Sequence, residues 1–367
     1  MLRVIDLTTL SGAYAARLFA EEGHEVIRIE APEGDELRRL GPFLRERHDL
    51  DHGAFHQFLN AGKKSVTLDL KSPEGHKKLG RLLAEADILI ANSPLPVADS
   101  ACLAANPKLV LTKIVDDEPE LCAVARSGLM SLTGHPDRAP VILGGHIPLM
   151  AVATYAAVAT AAALLTRNVS GRGLIATVSV RASLESFVEQ AMVEYSFSGT
   201  ITERRGSKGA ITAVSGALPC KDGHWVISQI HRPGRWSKFV DWVQDPELSA
   251  DLSLAEEKNQ HKRRDFIMER LDHWARHFTK TELVEQAQRL HFPASPVSTT
   301  LDLVNDPQLL ARGFLTALDH PEFGQINFPQ GAIASMLGNH LSPAPTLGEH
   351  NSELLRELPK GATSVGK

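Results

Sequence analysis

The segment 144–173, GGHIPLMAVATYAAVATAAALLTRNVSGRG, passes through nineteen residues, 147–165, without a charge. Such a run predicts a helix, and its context decides between a membrane span, a core helix and the wall of a site. A span needs about 20 strongly apolar residues. This run is rich in alanine, with Thr154, Tyr155 and Thr160 inside it, and alanine gains little from lipid. The 367-residue chain has 23% charged and 43% hydrophobic residues and a mean hydropathy of −0.12, the proportions of a globular protein large enough for two domains. The opening residues MLRVIDL enter a strand pattern directly, which predicts no signal peptide and a cytoplasmic location. Small residues on every face predict a helix clasped closely by other elements in a protein core, spanning about 147–167.

The net charge is −5 with no basic block, which argues against nucleic acid as a partner. Cys102, Cys122 and Cys220 are an odd number, widely separated and without CxxC spacing. They read as reduced thiols, neither a disulfide frame nor a zinc site. His273 and His277 stand four apart in LDHWARHF, on an amphipathic helix flanked by Arg276, so a solvated helix face is expected and no metal.

The first thirty residues spell a βαβ unit: LRVIDL as strand, GAYAARLFAEEG as helix ending at Gly23, HEVIRIE as strand. Glu30 mimics the acidic residue that holds a ribose in dinucleotide-binding folds. The turn TTLSGAYA, however, has one glycine and no GxGxxG to cradle a pyrophosphate. SPEGHKKLGRLLAEA predicts a helix with Ser72 as N-cap and Pro73 at its first position. DILIANS and KLVLTKI read as buried parallel strands, followed after the alanine-rich helix by the strand 174–180 and a helix over about 182–195. The pattern is that of an α/β layered domain.

Composition changes after Ser198. GTITERRGSKGAITAVSG suits a linker. GALPCKDGHWVISQI predicts a hairpin with Asp222-Gly223 in its turn. Helices are expected around 234–244, 258–277 and 281–290, the last opening on a capping box from Thr279 to Glu282. FPASPVSTTLDLVNDPQLLARGF reads as a proline-punctuated loop and helix, and the tail APTLGEHNSELLREL as helical.

Seven segments in order resemble the class III CoA-transferases, the group that includes carnitine CoA-transferase, formyl-CoA transferase and α-methylacyl-CoA racemase. They are VIDLTTLSGAYAARLFAEEGHEVIRIEAPEGDELRRLGP, FLNAGKKSVTLDLKSPEG, ADILIANSP, SGLMSLTG, AAALLTRNVSGRG, PASPVSTTLDLVNDPQLLARGF and APTLGEHNSELL. The resemblance implies a Rossmann-like large domain made from both chain ends (1–200 and 315–367), an inserted smaller α+β domain (201–314), and two chains threaded through one another as an interlocked dimer. It also implies covalent acyl transfer. An aspartate attacks the donor thioester to give an anhydride, CoA thiolate converts this to an aspartyl-CoA thioester, and the acceptor carboxylate takes over the CoA.

That aspartate is expected 24 residues before Gly173, at Leu149. Leucine cannot form an anhydride, and 145–155 contains no Asp or Glu, so transfer through this position is chemically excluded. The racemase pair of His and Asp would fall at Pro119 and Leu149, which excludes proton transfer by that pair. Expected CoA contacts are also changed. The arginine after the second strand is Ala31, another falls near Ser100, and a basic position is close to Glu118. What persists is LDLK, with Leu68 and Lys71, and the pair Asn92 and Ser93. The LDLK segment is equally compatible with a helix start carrying a solvated lysine. His146 and Glu120 are the candidate substitutes for the missing nucleophile or base, and Cys122 reads as a small hydrophobe.

Three functions follow from these expectations. The foremost is a non-catalytic subunit of a heteromeric acyl-CoA:carboxylate CoA-transferase whose Asp-bearing paralogous subunit does the chemistry. The second is an enzyme with altered chemistry on a CoA thioester or carboxylic acid, and the third a binding or regulatory protein retaining the fold. CoA or acyl-CoA is expected as a weak ligand in any of them.

Overall fold

The computed structural model describes residues 1–356 apart from 210, 211, 213, 229, 231–233 and 332–340. The chain divides into two compact units, one of residues 1–129, 142–196 and 310–367, the other of 130–141 and 197–309. The segment 130–141 thus groups with the second unit, although its place in the chain suggested the first.

The larger unit begins with β1 (Arg3–Leu7), α1 (Leu10–Glu21), β2 (Glu25–Glu30), α2 (Ala54–Asn60) and β3 (Lys64–Thr67). It continues with α3 (Pro73–Ala84), β4 (Ile88–Ser93), α4 (Asp99–Ala105), β5 (Val110–Val115) and α5 (Glu120–Arg126). Next come α6 (Ile147–Ser170), β6 (Leu174–Ser179), α7 (Val180–Glu185) and α8 (Glu189–Ser198). The six strands form one parallel sheet in the order β3-β2-β1-β4-β5-β6, the doubly wound order expected of a Rossmann-like domain. Ile5, Ile27, Leu89 and Leu111 pack with Leu79 and Leu83 of α3 and Cys102 of α4 on one face. Their neighbours point the other way because side chains alternate along a strand. Thr112 accordingly meets Thr160 of α6, hydroxyl to hydroxyl at 2.7 Å. Ser72 caps α3 as its sequence predicts, accepting from the amide of Gly75.

Helix α6 departs from the expectation that it is enclosed on every face. It packs against α1, β5 and β6, and only the stripe containing Leu149, Val152, Ala153, Ala156, Thr160 and Ala163 is buried. Val158, Leu165 and Val169 are exposed on the opposite side. The reason is geometric: a sheet and one neighbouring helix cover about half of a helix's circumference, and alanine is compatible with either environment. It is the one helix among the described residues long and apolar enough to cross a membrane.

The smaller unit holds β7 (Gly216–Cys220), β8 (Gly223–Ile227), α9 (Arg235–Val243), α10 (Pro246–Ala250), α11 (Glu257–Lys262), α12 (Arg264–Ala275), α13 (Lys280–Arg289) and β9 (Ala294–Pro296). Strands β7, β8 and β9 are antiparallel. Its core gathers all four tryptophans of the chain, Trp225, Trp236, Trp242 and Trp274. The hairpin is present, but its two-residue turn is Lys221-Asp222, and Gly223 opens the returning strand opposite Cys220. The helix expected over 258–277 is two helices, broken at Arg263. The capping box is present, Thr279 accepting from the Glu282 amide and Glu282 from the Thr279 amide.

After α14 (Thr300–Val304) and α15 (Pro307–Ala311), the chain returns to the larger unit as a hairpin, β10 (Leu315–His320) with β11 (Gly324–Pro329). Residues 348–353 then lie along β3, and α16 (Asn351–Leu354) is shorter than the tail's sequence predicts. The reason lies in side-chain pairing. Asn351 bonds both the amide and the hydroxyl of Thr67, at 2.9 and 2.8 Å, and His350 accepts from the Ser65 amide at 3.2 Å. These contacts cover the sheet edge instead of extending a helix.

Candidate active site

Strand order reverses between β1 and β4, which leaves a crevice at the carboxyl ends of the strands, where α/β folds bind ligands. A cavity of about 1000 Å³ occupies it, walled by the β1–α1 turn, the loop after β2, the end of β4, the β5–α5 loop and the first turn of α6. The β1–α1 turn approaches β5 so closely that a Cβ on Gly12 would lie 2.5 Å from Ile114. Its single glycine therefore serves packing, with no phosphate cradle required. Asn92 ties the turn to β4, accepting from the Thr9 amide at 2.7 Å and donating to Ser11 Oγ at 2.8 Å; Ser11 donates to Asp116 at 2.6 Å.

Beneath the cavity lies a buried ionic network. Asp6, with no exposed surface, accepts from Arg28 at 2.9 Å, from Lys63 at 2.8 Å and from the Thr8 amide and hydroxyl at 3.0 and 2.6 Å. Burial by itself would raise the Asp6 carboxyl, but Arg28 and Lys63 hold it below the usual carboxylate range. Burial pushes the Lys63 ammonium down to about 8 against the pull of Asp6. Arg28 also pairs with Asp35, and its guanidinium reaches the cavity wall. Arg38 pairs with Glu30 at 2.6 Å, so the acid at the end of β2 is occupied by an internal partner and is not offered to a ribose.

The sequence candidates divide into two groups. His146, Glu120, Leu149, Asn92 and Ser93 all line the cavity, as do Glu118 and Pro119. Leu68 packs in the core and Lys71 is exposed on the loop before α3; neither lines it. Ser100 is exposed on α4, and Cys122 is exposed rather than packed as a hydrophobe. His146 Nδ1 lies 2.6 Å from Glu120 Oε2, while Glu120 Oε1 is buried without a hydrogen-bond partner. Leu149, one turn along α6 from His146, is 6% exposed. Seven carboxylates line the cavity (Glu33, Asp35, Glu36, Asp116, Asp117, Glu118 and Glu120) against two guanidiniums, Arg28 and Arg39. Both guanidiniums have internal partners, Arg39 donating to the carbonyls of Glu33, Gly34 and Asp35.

The sequence matches the model of CoA-transferase family III over residues 2–351. The chain belongs to CoA-transferase family III. It is 28% identical to succinyl-CoA:mesaconate CoA-transferase of Haloarcula hispanica, covering 98% of this chain and 96% of that one. It is also 28% identical to the succinyl-CoA–L-malate CoA-transferase alpha subunit of Chloroflexus aurantiacus, covering 97% and 88%. Among solved structures, a CaiB/BaiF family protein of Brucella suis superposes with a TM-score of 0.86 at 25% identity, covering 96% of this chain and 97% of that one.

For this family III chain, sequence reading missed the buried floor of the site. Asp6 and Arg28 carried a usable signal: charged residues inside otherwise apolar strand-like runs, VIDL and EVIRIE, whose burial demands partners; Lys63, in the loop before β3, carried none. Which partners they find was not readable, because Asp6 and Lys63 are 57 positions apart.

Proposed function

We propose that this chain is a subunit of a heteromeric acyl-CoA:carboxylate CoA-transferase and takes no covalent part in the transfer, the Asp-bearing subunit supplying the nucleophile. The observation that carries this reading is Leu149. It lines the cavity at the position to which the family resemblance assigns the nucleophile, and an alkyl side chain can neither attack a thioester nor carry an anhydride. The naming of one relative as an alpha subunit supports a heteromeric arrangement. CoA binds this chain weakly on this reading. The seven cavity carboxylates repel its phosphates, and the absent arginines each remove a charge-assisted hydrogen bond worth about 1.5–3 kcal/mol. The second chain covers the apolar side of α6 that bears Val158, Leu165 and Val169, and the two chains interlock.

The test is to incubate the purified chain with a panel of acyl-CoA donors, quench with hydroxylamine, and map peptides by mass. No hydroxamate is expected on any carboxylate, and transfer activity is expected only after addition of an Asp-bearing paralogue. A hydroxamate on Glu120, or on any other residue, would show that the nucleophile has moved and would overturn the reading. Leu149→Asp by itself is expected to remain inactive, because Ala31, Ser100 and Glu118 still disfavour CoA.

A further inference from the structure

We propose that His146 and Glu120 form a general-base pair that activates water against an acyl thioester seated beside Leu149, so that this chain hydrolyses thioesters without an acyl-enzyme. This goes beyond the subunit reading, which concerns transfer, and stands or falls separately from it.

The geometry points to it in three ways. First, an ionised carboxylate only accepts hydrogen bonds, so the 2.6 Å contact places the imidazole proton on Nδ1 and leaves Nε2 with its lone pair. No other hydrogen bond engages the His146 ring among the described residues, so Nε2 is available as a base. Second, the ring is held from several sides. Phe55 meets it edge-on at 5.2 Å, and Glu120 is fixed at the first turn of α5 with its side chain 16% exposed. The His146 backbone sits in the left-handed region at φ 55°, an uncommon conformation for a non-glycine residue, at the N-cap of α6. Such positions concentrate at functional sites. Third, the pair and Leu149 wall the same cavity, so a polar corner for water adjoins an apolar surface for an acyl chain.

The chemistry balances with water alone. Nε2 takes a proton from water as its oxygen bonds to the thioester carbon. The tetrahedral intermediate then collapses by breaking the C–S bond, and the departing thiolate takes the proton from the imidazolium. Products are a carboxylic acid and a thiol. Glu120 is the positioning residue, and its charge stabilises the imidazolium between the two proton transfers. Because the cavity carboxylates outnumber its guanidiniums, and both guanidiniums are internally paired, the substrate class is an acyl group on an uncharged arm such as pantetheine, with no phosphate inside the cavity.

The experiment measures thiol release by the full-length chain from acetyl and succinyl thioesters of N-acetylcysteamine and of CoA, with no acceptor carboxylate present. Hydrolysis above the buffer rate is expected, with kcat/KM at least as high for the uncharged arm as for CoA. His146→Asn retains a residue tolerated at positive φ and is expected to lower kcat at least 100-fold and to abolish the acidic limb of the pH–rate profile. Glu120→Gln is expected to lower kcat at least tenfold and shift that limb, and Glu120→Asp to recover part of the loss. Circular dichroism and the melting temperature verify folding of each variant. Wild-type hydrolysis no faster than buffer with either series would overturn the proposal, as would unchanged kcat in a folded His146→Asn. Hydroxylamine trapping, by contrast, reads only the transfer hypothesis.

Discussion

Asp6 shows what a single buried charge requires. Two cations, a hydroxyl and an amide converge on it; Arg28 has a second carboxylate in Asp35, while Lys63 otherwise meets only the neutral oxygens of Ala13 and Asn60. Breaking such a pair from one side leaves an uncompensated buried charge, which costs about 3–5 kcal/mol. Asp6→Asn is therefore expected to lower the urea-unfolding free energy by that amount, since buried Lys63 would lose the carboxylate it is bonded to, Arg28 keeping Asp35. His56 supplies the pH dependence. Its Nδ1 accepts from Asn60 at 3.0 Å, because Asn60 Oδ1 is taken by Lys63, and its Nε2–H donates to the Pro345 carbonyl at 3.1 Å. Burial and then the neighbouring Arg38 push the ring down to about 3, from an ordinary 6.5. Between those values the unfolded chain binds a proton that the folded chain does not. Stability therefore falls as pH drops, by about 1.4 kcal/mol per unit once well below 6.5. Urea midpoints compared at pH 7 and pH 5 are expected to converge in His56→Gln relative to wild type. An unchanged pH slope in that variant would refute the assignment.

At the scale of elements, a buried polar contact joins α6 to β5. Thr160 donates its only hydroxyl proton to the Ala156 carbonyl at 2.7 Å, so Thr112 must donate to Thr160. Thr160→Val keeps shape but strands the buried Thr112 hydroxyl, at an expected cost of about 1–3 kcal/mol in chemical denaturation. Thr112→Val/Thr160→Val together are expected to recover part of it. The turn after α6 is equally constrained. A Cβ on Gly173 would lie 2.2 Å from the Leu109 carbonyl oxygen and 2.7 Å from its nitrogen, both backbone atoms. Gly173→Ala must displace the start of β6 from β5, an expected loss of about 2 kcal/mol or more. The glycine of the GRG motif is thus required by packing. Val158→Glu, on the open side of α6, is expected to change the stability of the isolated chain by about 0.5 kcal/mol or less. If a second chain covers that side, the same change dissociates the assembly, which light scattering after size exclusion reads directly.

Over the whole molecule, the far C-terminal segment completes the first-built sheet. Glu353 pairs with Lys64, Gly348 donates to Ser65 Oγ at 3.0 Å, and Asn351 takes the place of a neighbouring strand beside Thr67. Asn351→Ala leaves the Thr67 amide without this acceptor, and a loss of about 1–3 kcal/mol is expected in the larger unit. All four tryptophans lie in the smaller unit. Indole fluorescence therefore reports that unit, while helix ellipticity reports both. The Asn351→Ala effect is expected in the ellipticity transition, with the fluorescence midpoint displaced less.

Local information sufficed for much of this protein. Alternating strand and helix periods, the cap at Ser72 and the capping box at Thr279 act within a few residues, and a right-handed βαβ succession leaves few ways to order the strands. Family membership, too, was legible in seven ordered segments, and so was the absence of a carboxylate from 145–155. Tertiary structure decided the rest. That β2's terminal acid meets Arg38, that His146 rather than a carboxylate faces Glu120, and that Asp6 collects charges from two later segments all depend on contacts between residues 8 to 57 positions apart. Periodicity specifies which face a side chain occupies along its own element. It does not specify what stands opposite, because long-range pairing is set by packing volume and by the need to neutralise every buried charge at once.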